Sequence, residues 1–393
     1  MSYTFDLPTK IIIGEGCSGQ LGGIVSGSGA RRVLCVCDRG VEAAGIVAPL
    51  IETMEASGLK VERFNGVLPD PPLDMIEECT KRAVDMKPDA FVAIGGGSSI
   101  DTAKAVNANL TNPGTLKEHA ILLNGLKVFP FEKPLLPLYA LPTTAGTGSE
   151  VSQGAVVTDD ELKLKLSIIA PNLMPTMAII DPALTVGLPP AITASTGVDA
   201  LAHAVEGLMS GLALMMPSPM REGFALTAIE LVLNNLETAI RDGKDMKART
   251  NMSYAAFLAM LGSTSGYSMG HVMGHAIAEV SGIHNHGFLC ASILPYNVEF
   301  LAECIPGTLP RLAAFLNVDA EGRSPAETGA AVRDALRGFL TSCGVPALKN
   351  LGMKPADMKE IVHHCTSGTW YMLAPRRPSE EEMTRWLEAA CEG

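Results

Sequence analysis

The sequence is short of basic side chains and of long apolar runs, and each shortage excludes a class of protein. Its 393 residues carry 30 Lys and Arg against 42 Asp and Glu, a formal net charge of −12. Nucleic-acid binding needs basic patches, so no such partner is expected. The N-terminus lacks the basic and apolar regions of a signal peptide, and no apolar run reaches the roughly 18–20 residues that span a bilayer. We expect a cytoplasmic protein that does not enter a membrane.

The nine cysteines are scattered and form no C-x-x-C pair. This distribution is typical of reduced, mostly buried thiols. An apolar content of 47% with 18% charged residues is that of a globular protein. A chain of 393 residues exceeds one compact core, so we expect two domains.

The first half of the chain alternates short β-rich runs with helical stretches. The predicted strands cover residues 31–38, 60–66, 89–97, 137–144, 154–159 and 177–182, and the predicted helices cover 41–58 and 73–86. Strands this apolar, alternating with helices, predict a doubly wound, mostly parallel sheet of Rossmann-like type.

The second half of the chain loses the strand pattern and becomes helical by period and propensity. Pro189 and Pro190 mark the boundary, with Thr193 or Ser195 as candidate helix N-caps. The fold class is therefore α/β followed by all-α, with an α/β domain over residues 1–185 and an all-helical domain over residues 186–393.

A glycine-rich turn follows the predicted strand at 89–97. Gly95, Gly96 and Gly97 allow backbone N–H groups to approach an anion, and Ser98 or Ser99 can cap the next helix, whose N-terminus favours a phosphate. A tight turn without a ligand is the alternative, since the G-x-G-x-x-G pattern is absent.

A second polar loop, with Thr143 and Thr144, follows another predicted strand. Two such loops at the carboxyl ends of parallel strands favour a dinucleotide. Asp38 ends the first strand of the α/β unit, where a carboxylate accepts hydrogen bonds from ribose and repels a 2′-phosphate. This favours NAD(H) over NADP(H), although the neighbouring Arg39 would accommodate that phosphate.

Ligand-type residues are concentrated in the helical half. Asp199 and His203 stand four residues apart, as do His271 and His275, and His286 follows. Residues four apart share one helix face, so each pair can reach one point. We predict a divalent metal site between two helices and a loop. For Asp199 and His203 alone, a capped helix with one buried core histidine is the alternative.

These motifs together resemble the iron-dependent (group III) alcohol dehydrogenases. The resemblance rests on GGGSSIDTAKA, LPTTAGTGSEV, IDPALTVGLPP, STGVDALAHAVEG, the spaced histidines, the HG-x(6)-LPYNVEF run and PRRPSEEEM, and it covers nearly the whole chain in order. It implies a divalent ion, usually Fe²⁺ with Zn²⁺ or another ion as alternatives, held by Asp199, His203, His271 and His286.

The resemblance also implies roles for other residues. Gly96, Gly97, Ser98 and Asp101 match the pyrophosphate loop, Thr143, Thr144 and Lys165 match residues around the cofactor, and Asp38 matches the ribose carboxylate. His275 matches a position that lines the catalytic cleft between the domains. The sequence departs from the family at Asp70, where Asn is common, and at His284, which competes with His286.

The expected activity is hydride transfer between NAD(H) and a small primary alcohol or its aldehyde. The metal acts as a Lewis acid on the substrate oxygen, and His275, one turn beyond His271, delivers the proton. A zinc-dependent polyol dehydrogenase is the first alternative. A dehydroquinate-synthase-like lyase is less favoured, because no Lys or Arg lies within the ligand motifs. A non-enzymatic metal- or nucleotide-binding protein is a third.

A homodimer or higher homo-oligomer is expected from the N-terminal segment. The run Ile11-Ile12-Ile13 would leave an apolar, unpaired strand edge in a monomer.

Overall fold

The computed structural model describes residues 5–162, 164–264, 266–367 and 369–393. The chain divides into two compact units, Met1–Leu188 and Pro189–Gly393. Each unit has its own hydrophobic core.

The first unit contains all eight strands of the described chain. They are β1 Lys10–Ile13, β2 Arg32–Asp38, β3 Lys60–Val67, β4 Ala90–Gly95, β5 Leu138–Pro142, β6 Gly154–Asp159, β7 Leu164–Ile169 and β8 Met177–Ile180. Six of them form one parallel sheet in the order β1-β8-β5-β4-β2-β3, and β6 pairs antiparallel with β7 in a separate hairpin. The helices are α1 Leu21–Gly27, α2 Arg39–Ala43, α3 Val47–Ala56, α4 Leu73–Met86 and α5 Gly97–Thr111.

Helices cover both faces of the six-stranded sheet. Val33 and Cys35 of β2 pack in one apolar cluster with Leu21 of α1 and Leu50 of α3. The alternate residues of β2, Leu34 and Val36, pack in a second cluster with Ile76 of α4 and Ile100 of α5. Successive side chains of a strand point to opposite faces, so β2 is apolar throughout because both of its faces are buried. The predicted doubly wound, parallel sheet is confirmed.

Three details of the first unit differ from the sequence prediction. Ser98 and Ser99, the predicted caps of the helix after the glycine turn, are wrong: α5 begins at Gly97 with Gly96 as its N-cap, so both serines lie inside it.

The other two differences concern a strand and a helix. The strand predicted at 154–159 forms, but it lies in the β6–β7 hairpin and not in the parallel sheet. The single helix predicted over 41–58 is broken into α2 and α3, because Gly45 between them adopts a φ of +77°, which an α-helix excludes. Hydrophobic period does not reveal either feature.

The second unit is helical over its described residues. Its helices are α6 Pro190–Met209, α7 Gly211–Met215, α8 Pro219–Arg241, α9 Met246–Gly262, α10 Met269–Ser281, α11 His286–Phe300, α12 Leu309–Phe315, α13 Pro325–Ser342, α14 Leu348–Leu351, α15 Met358–Ser367, α16 Thr369–Met372 and α17 Glu380–Glu392. The predicted N-caps Thr193 and Ser195 are wrong: both lie inside α6, which begins at Pro190. Proline suits the first helical position because its φ is preset and its missing N–H is not needed there.

The segment Pro190–Met215 is long and apolar enough to cross a membrane by length and composition alone. In this unit 78% of the apolar window is buried inside the protein. Its hydrophobicity is accounted for by packing, since α6 contacts α8, α9 and α11.

Candidate functional site

Three acidic or imidazole side chains project from one face of α6. Asp199, His203 and Glu206 occupy positions i, i+4 and i+7, so they follow one another along the helix. Their exposed fractions are only 2%, 4% and 0%. Buried ionisable groups require compensating partners, which makes this stripe a candidate site.

Helices α10 and α11 bring two more imidazoles to Asp199. Asp199 Oδ1 lies 3.8 Å from Nε2 of His271 and 3.6 Å from Nε2 of His286. One ligand atom each from Asp199, His271, His286 and Cys290 falls within a mutual distance of 4.8 Å. Ligands bound at about 2.0–2.1 Å around a tetrahedral ion lie about 3.3–3.4 Å apart, so small movements of these side chains would complete such a site.

The donor atoms of this cluster fit a divalent ion. Among the described residues, Asp199 Oδ1 and His271 Nε2 are buried and have no hydrogen-bond partner. Burial raises the pKa of Asp199 to about 6, an effect that His271 opposes and Glu206 reinforces. An ion bound between these atoms would remove the cost of burying them, and carboxylate with imidazole suits Fe²⁺ or Zn²⁺.

Glu206 is a part of the site that the sequence analysis missed. Its carboxylate accepts hydrogen bonds from the backbone N–H of Ser268 (2.6 Å) and of His271 (3.1 Å), and it lies 3.3 Å from His271 Nδ1. Burial acts to lower the pKa of His271, but the charge and hydrogen bonding of Glu206, with a contribution from Asp199, raise it overall. The i+7 spacing from Asp199 was the available signal, yet an acidic residue on a helix usually faces solvent.

The structure places the predicted ligand His203 beside this cluster. Its Nδ1 lies 3.8 Å from Asp199 Oδ2, and its ring stacks on that of His271 with 4.6 Å between centroids. Cys290, four residues after His286 on α11, takes the fourth place in the cluster of close donors. The sequence analysis did not consider Cys290, although its i+4 spacing from His286 could have revealed it.

His275 and His284 lie outside that four-residue cluster. The ring of His275 is 6.4 Å from that of His271 and 5.0 Å from that of His286, measured between centroids. His284 is exposed in the segment between α10 and α11. Thus the structure brings His286, and not His284, towards Asp199.

His286 was predicted to lie in a loop, but it is the first residue of α11. A side chain on the next residue, Gly287, would place its Cβ 2.0 Å from the carbonyl oxygen of Ser195. Conformational freedom for a loop is therefore not what this glycine provides. Gly287 instead permits close contact between the start of α11 and α6, the helix that carries Asp199.

In the first unit, the two polar loops pack against each other. A Cβ on Gly96 would lie 3.3 Å from Thr144 Cγ2, and one on Gly97 would lie 2.8 Å from Thr147 Cγ2. Gly95 has a φ of +156°, and the N–H of Thr143 donates to its carbonyl. The loops follow β4 and β5, which are neighbours in the sheet, so both lie at its carboxyl edge, where nucleotides bind in such folds.

Asp38 lies at the same edge and already has protein partners. Its Oδ1 accepts the N–H of Val41 and so caps α2, and its Oδ2 lies 3.5 Å from Ser99 Oγ. The carboxylate is partly exposed. Asp38 thus remains able to accept a further hydrogen bond from a ligand.

Two side chains of α5, Asp101 and the buried Lys104, contact the segment that contains the second loop. Asp101 accepts hydrogen bonds from Ser149 Oγ and from the N–H of Val156. Lys104, fully buried, donates to the carbonyls of Ser149 (2.7 Å), Ser152 (2.9 Å) and Gly154 (2.7 Å). Both Asp101 oxygens therefore contact other residues of the protein, and hydrogen bonds from α5 hold the segment from 149 to 156.

Other predicted cofactor residues lie near these loops. Lys165 forms a 2.6 Å ion pair with Asp70, the residue at which this sequence departs from the family pattern. Thr143 Oγ1 is buried and has no hydrogen-bond partner among the described residues. Ser98 and Thr144 are half-buried.

A nucleotide-binding type of sheet and a buried carboxylate–imidazole cluster together are typical of an enzyme that uses a nucleotide and a divalent metal. Comparison with known proteins identifies which one. Residues 8–182 match the family described as "Iron-containing alcohol dehydrogenase", and residues 193–391 match "Fe-containing alcohol dehydrogenase family, C-terminal". The chain belongs to the iron-containing alcohol dehydrogenase family.

Individual relatives agree over nearly the whole chain. "Choline dehydrogenase" of Bacillus subtilis (strain 168) is 34% identical over 99% of this chain and 95% of its own length. "NAD-dependent methanol dehydrogenase" of Bacillus methanolicus is 30% identical over 98% and 99%. A crystal structure of 1,3-propanediol oxidoreductase, 28% identical, superposes with a TM-score of 0.90 over 99% of this chain and 100% of that one. The predicted fold, family and class of enzyme, a metal-dependent alcohol dehydrogenase, are confirmed.

Proposed function

We propose that this protein interconverts a small primary alcohol and its aldehyde with NAD(H), at a divalent metal site formed by Asp199, His203, His271 and His286. The observation that carries the proposal is the cluster of Asp199 Oδ1 with imidazole nitrogens of His271 and His286. Two of these atoms, Asp199 Oδ1 and His271 Nε2, are buried and lack a hydrogen-bond partner among the described residues. A bound ion would supply Lewis acidity toward the substrate oxygen, and nicotinamide would accept or donate the hydride.

The protein's own side chains would hold the ion by different means. Asp199 contributes charge, which partly neutralises a divalent cation. The ring of His271 packs against two neighbouring rings, those of Tyr267 and His203, at 4.4 and 4.6 Å between centroids. His286 is 30% exposed and so is the ligand nearest to solvent in this set. Cys290 Sγ lies 3.6 Å from the ring nitrogens of His286 and is the competing donor to His203.

The proposed cofactor is NAD(H), with Asp38 on the ribose. Gly95, Gly96, Gly97 and Ser98 would receive the pyrophosphate at the start of α5, where free N–H groups and the helix dipole favour an anion. Asp101, Thr143, Thr144 and Lys165 complete the predicted cofactor contacts. A relative named for NAD dependence supports the choice of cofactor.

His275 is the proposed proton carrier. Its ring lies closer to that of His286 than to that of His271, and the side chain is half-buried. An imidazole in this position could exchange a proton with the substrate hydroxyl as alcohol and aldehyde interconvert.

Activity with defined substrates tests the proposal. Metal-free enzyme reloaded with Fe²⁺ or Zn²⁺ should oxidise NADH in the presence of short aldehydes, including ones with hydroxyl, carboxylate or sulfonate groups. A glycerol-type polyol series run in parallel separates a polyol dehydrogenase. Absence of metal-dependent NADH oxidation with every aldehyde and of NADH formation with every alcohol or polyol would contradict the proposal.

We further propose a cytoplasmic homodimer or higher homo-oligomer. The edge position of β1 in the six-stranded sheet supports self-association, since an edge strand offers unpaired backbone groups.

A further inference from the structure

Glu206 is one of the most deeply buried carboxylates of the described chain, and it is not among the proposed metal ligands. Its exposed fraction is 0%, and no Lys or Arg forms an ion pair with it among the described residues. A buried carboxylate without a basic neighbour needs strong hydrogen bonds to remain ionised. Its partners therefore indicate what it does.

The partners of Glu206 among the described residues, Ser268 and His271, lie at the start of α10. Oε2 accepts the N–H of Ser268 at 2.6 Å, and Oε1 accepts the N–H of His271 at 3.1 Å. Ser268 is the N-cap residue of α10, and its own side chain makes no capping bond to that helix. The first N–H groups of a helix have no partner within it, so Glu206 acts as a cap supplied by another helix.

The same carboxylate faces the imidazole of His271. Nδ1 lies 3.3 Å from Glu206 Oε2, and Nε2 lies 3.8 Å from Asp199 Oδ1. The negative charge beside Nδ1 favours the tautomer with its proton on Nδ1, which leaves the lone pair on Nε2, the nitrogen that faces the other proposed ligands. Glu206 therefore contacts both the backbone N–H and the imidazole ring of His271, a proposed ligand.

Gly270 makes this approach possible. A Cβ at position 270 would lie 1.9 Å from Glu206 Oε1 and 3.2 Å from the carbonyl oxygen of Cys290. The glycine is in α10, where it costs roughly 1 kcal/mol relative to alanine. Gly270 has low helix propensity, and its place in α10 is explained by the space it leaves for the Glu206 carboxylate.

We propose that Glu206 is a positioning residue for the metal site: it caps α10 and holds His271 in the orientation and tautomer that ligate the ion. The inference rests on the proposed metal site. It assigns to Glu206 no contact with the ion, the cofactor or the substrate.

The test is the affinity of the metal-free, full-length protein for Zn²⁺ alone, measured by competition with a chelator. Glu206→Gln keeps the size of the side chain and an acceptor oxygen for the cap but removes the charge that faces Nδ1. We expect its Kd for Zn²⁺ to rise about 10- to 100-fold, and the melting temperature of the metal-free protein to fall, because one of the two oxygens that accept backbone N–H groups becomes an amide nitrogen. Glu150→Gln, a substitution of another buried glutamate, is the control and should leave that Kd unchanged.

Gly270→Ala tests the same idea without touching a polar group. The added methyl group should displace the Glu206 carboxylate and weaken Zn²⁺ binding. The double variant Glu206→Gln with Gly270→Ala should have a Kd for Zn²⁺ no higher than that of the weaker-binding single variant. Gly223→Ala, an exposed glycine of α8 with open space at the Cβ position, is the matched control.

The outcomes separate the two proposals. A Kd of Glu206→Gln within threefold of wild type overturns the positioning role, and so do fully additive effects of Glu206→Gln and Gly270→Ala. A wild-type protein that binds no Zn²⁺, or a His271→Ala variant that binds it normally, overturns the metal site itself and this inference with it.

Discussion

His275 lies beside the cluster of predicted ligands, and its distance from the other imidazole rings favours proton transfer over metal binding. The ring centroid lies 6.4 Å from that of His271 and 5.0 Å from that of His286, and His275 is not in the cluster of close donor atoms. His275→Ala should therefore retain the metal but lower kcat by about 10²–10⁴-fold, as expected for loss of a general acid–base. Metal analysis and steady-state rates against pH measure both. Loss of metal would make His275 a ligand, and an unchanged kcat would remove its role.

Asp38 is the residue on which the choice between NADH and NADPH depends. Its carboxylate is held in place by capping α2, so it cannot easily turn away from a 2′-phosphate. Asp38→Gly should raise kcat/KM for NADPH by removing this repulsion. The comparison of both cofactors in wild type and variant is the measurement. A wild-type enzyme that already prefers NADPH would refute the assignment.

Glu150, a buried residue of the loop after β5, makes the stability of the protein depend on pH. Burial raises the pKa of Glu150 to about 7, opposed by a backbone hydrogen bond and by the charge of Lys104. Between its ordinary value of 4.5 and 7, the folded protein keeps a proton that the unfolded chain releases. Stability therefore falls as pH rises through this window, by about 3 kcal/mol.

Glu150→Gln removes that titration. The free energy of unfolding of the variant, relative to wild type, should increase between pH 5 and pH 7.5. Urea titrations at both pH values give the difference, and Glu62→Gln, at an exposed position of β3, is the control. An equal difference at both pH values would show that Glu150 does not titrate in this window.

The elements themselves were largely predictable from the sequence, and the exceptions have physical causes. Runs such as RVLCVCD become strands because β-branched and apolar residues suit a sheet covered on both faces. Which strand pairs with which is not encoded in period, so the β6–β7 hairpin was not separated from the sheet. The start of α11 at His286 was missed because His-Gly resembles a loop until the contact of Gly287 with Ser195 is known.

The candidate site was predictable only where helical spacing linked residues along the chain. Asp199 and His203, four apart, were found in this way, as were His271 and His275. Cys290 is four residues after His286, and Glu206 is seven residues after Asp199, so each also shares a helix face with a predicted ligand. Their burial, however, depends on the packing of α10 and α11. Spacing indicates which residues share a face, and it does not indicate which face is buried.

For the molecule as a whole, the exposed edge of the six-stranded sheet predicts self-association. β1 pairs with β8 on one side, where the N–H groups of Lys10 and Gly14 donate to β8 and its flanking residues, so the N–H of Ile11 points away from β8. Wild type should sediment as a dimer or larger species at micromolar concentration. Ile11→Pro removes that outward donor while sparing the bonds to β8, and should shift the mass towards one chain. A wild-type mass of a single chain would contradict the prediction.

The metal content per chain is the most direct test of the proposed metal site. Single substitutions of candidate ligands change that site while the family and the fold stay the same. We predict about one divalent ion per wild-type chain, measured by elemental analysis after purification with Fe²⁺ or Zn²⁺. His286→Ala should lose most of the metal, since its Nε2 lies 3.6 Å from Asp199 Oδ1, whereas exposed His284→Ala should retain it. A metal-free wild type, or loss of metal from His284→Ala with retention in His286→Ala, would contradict the account.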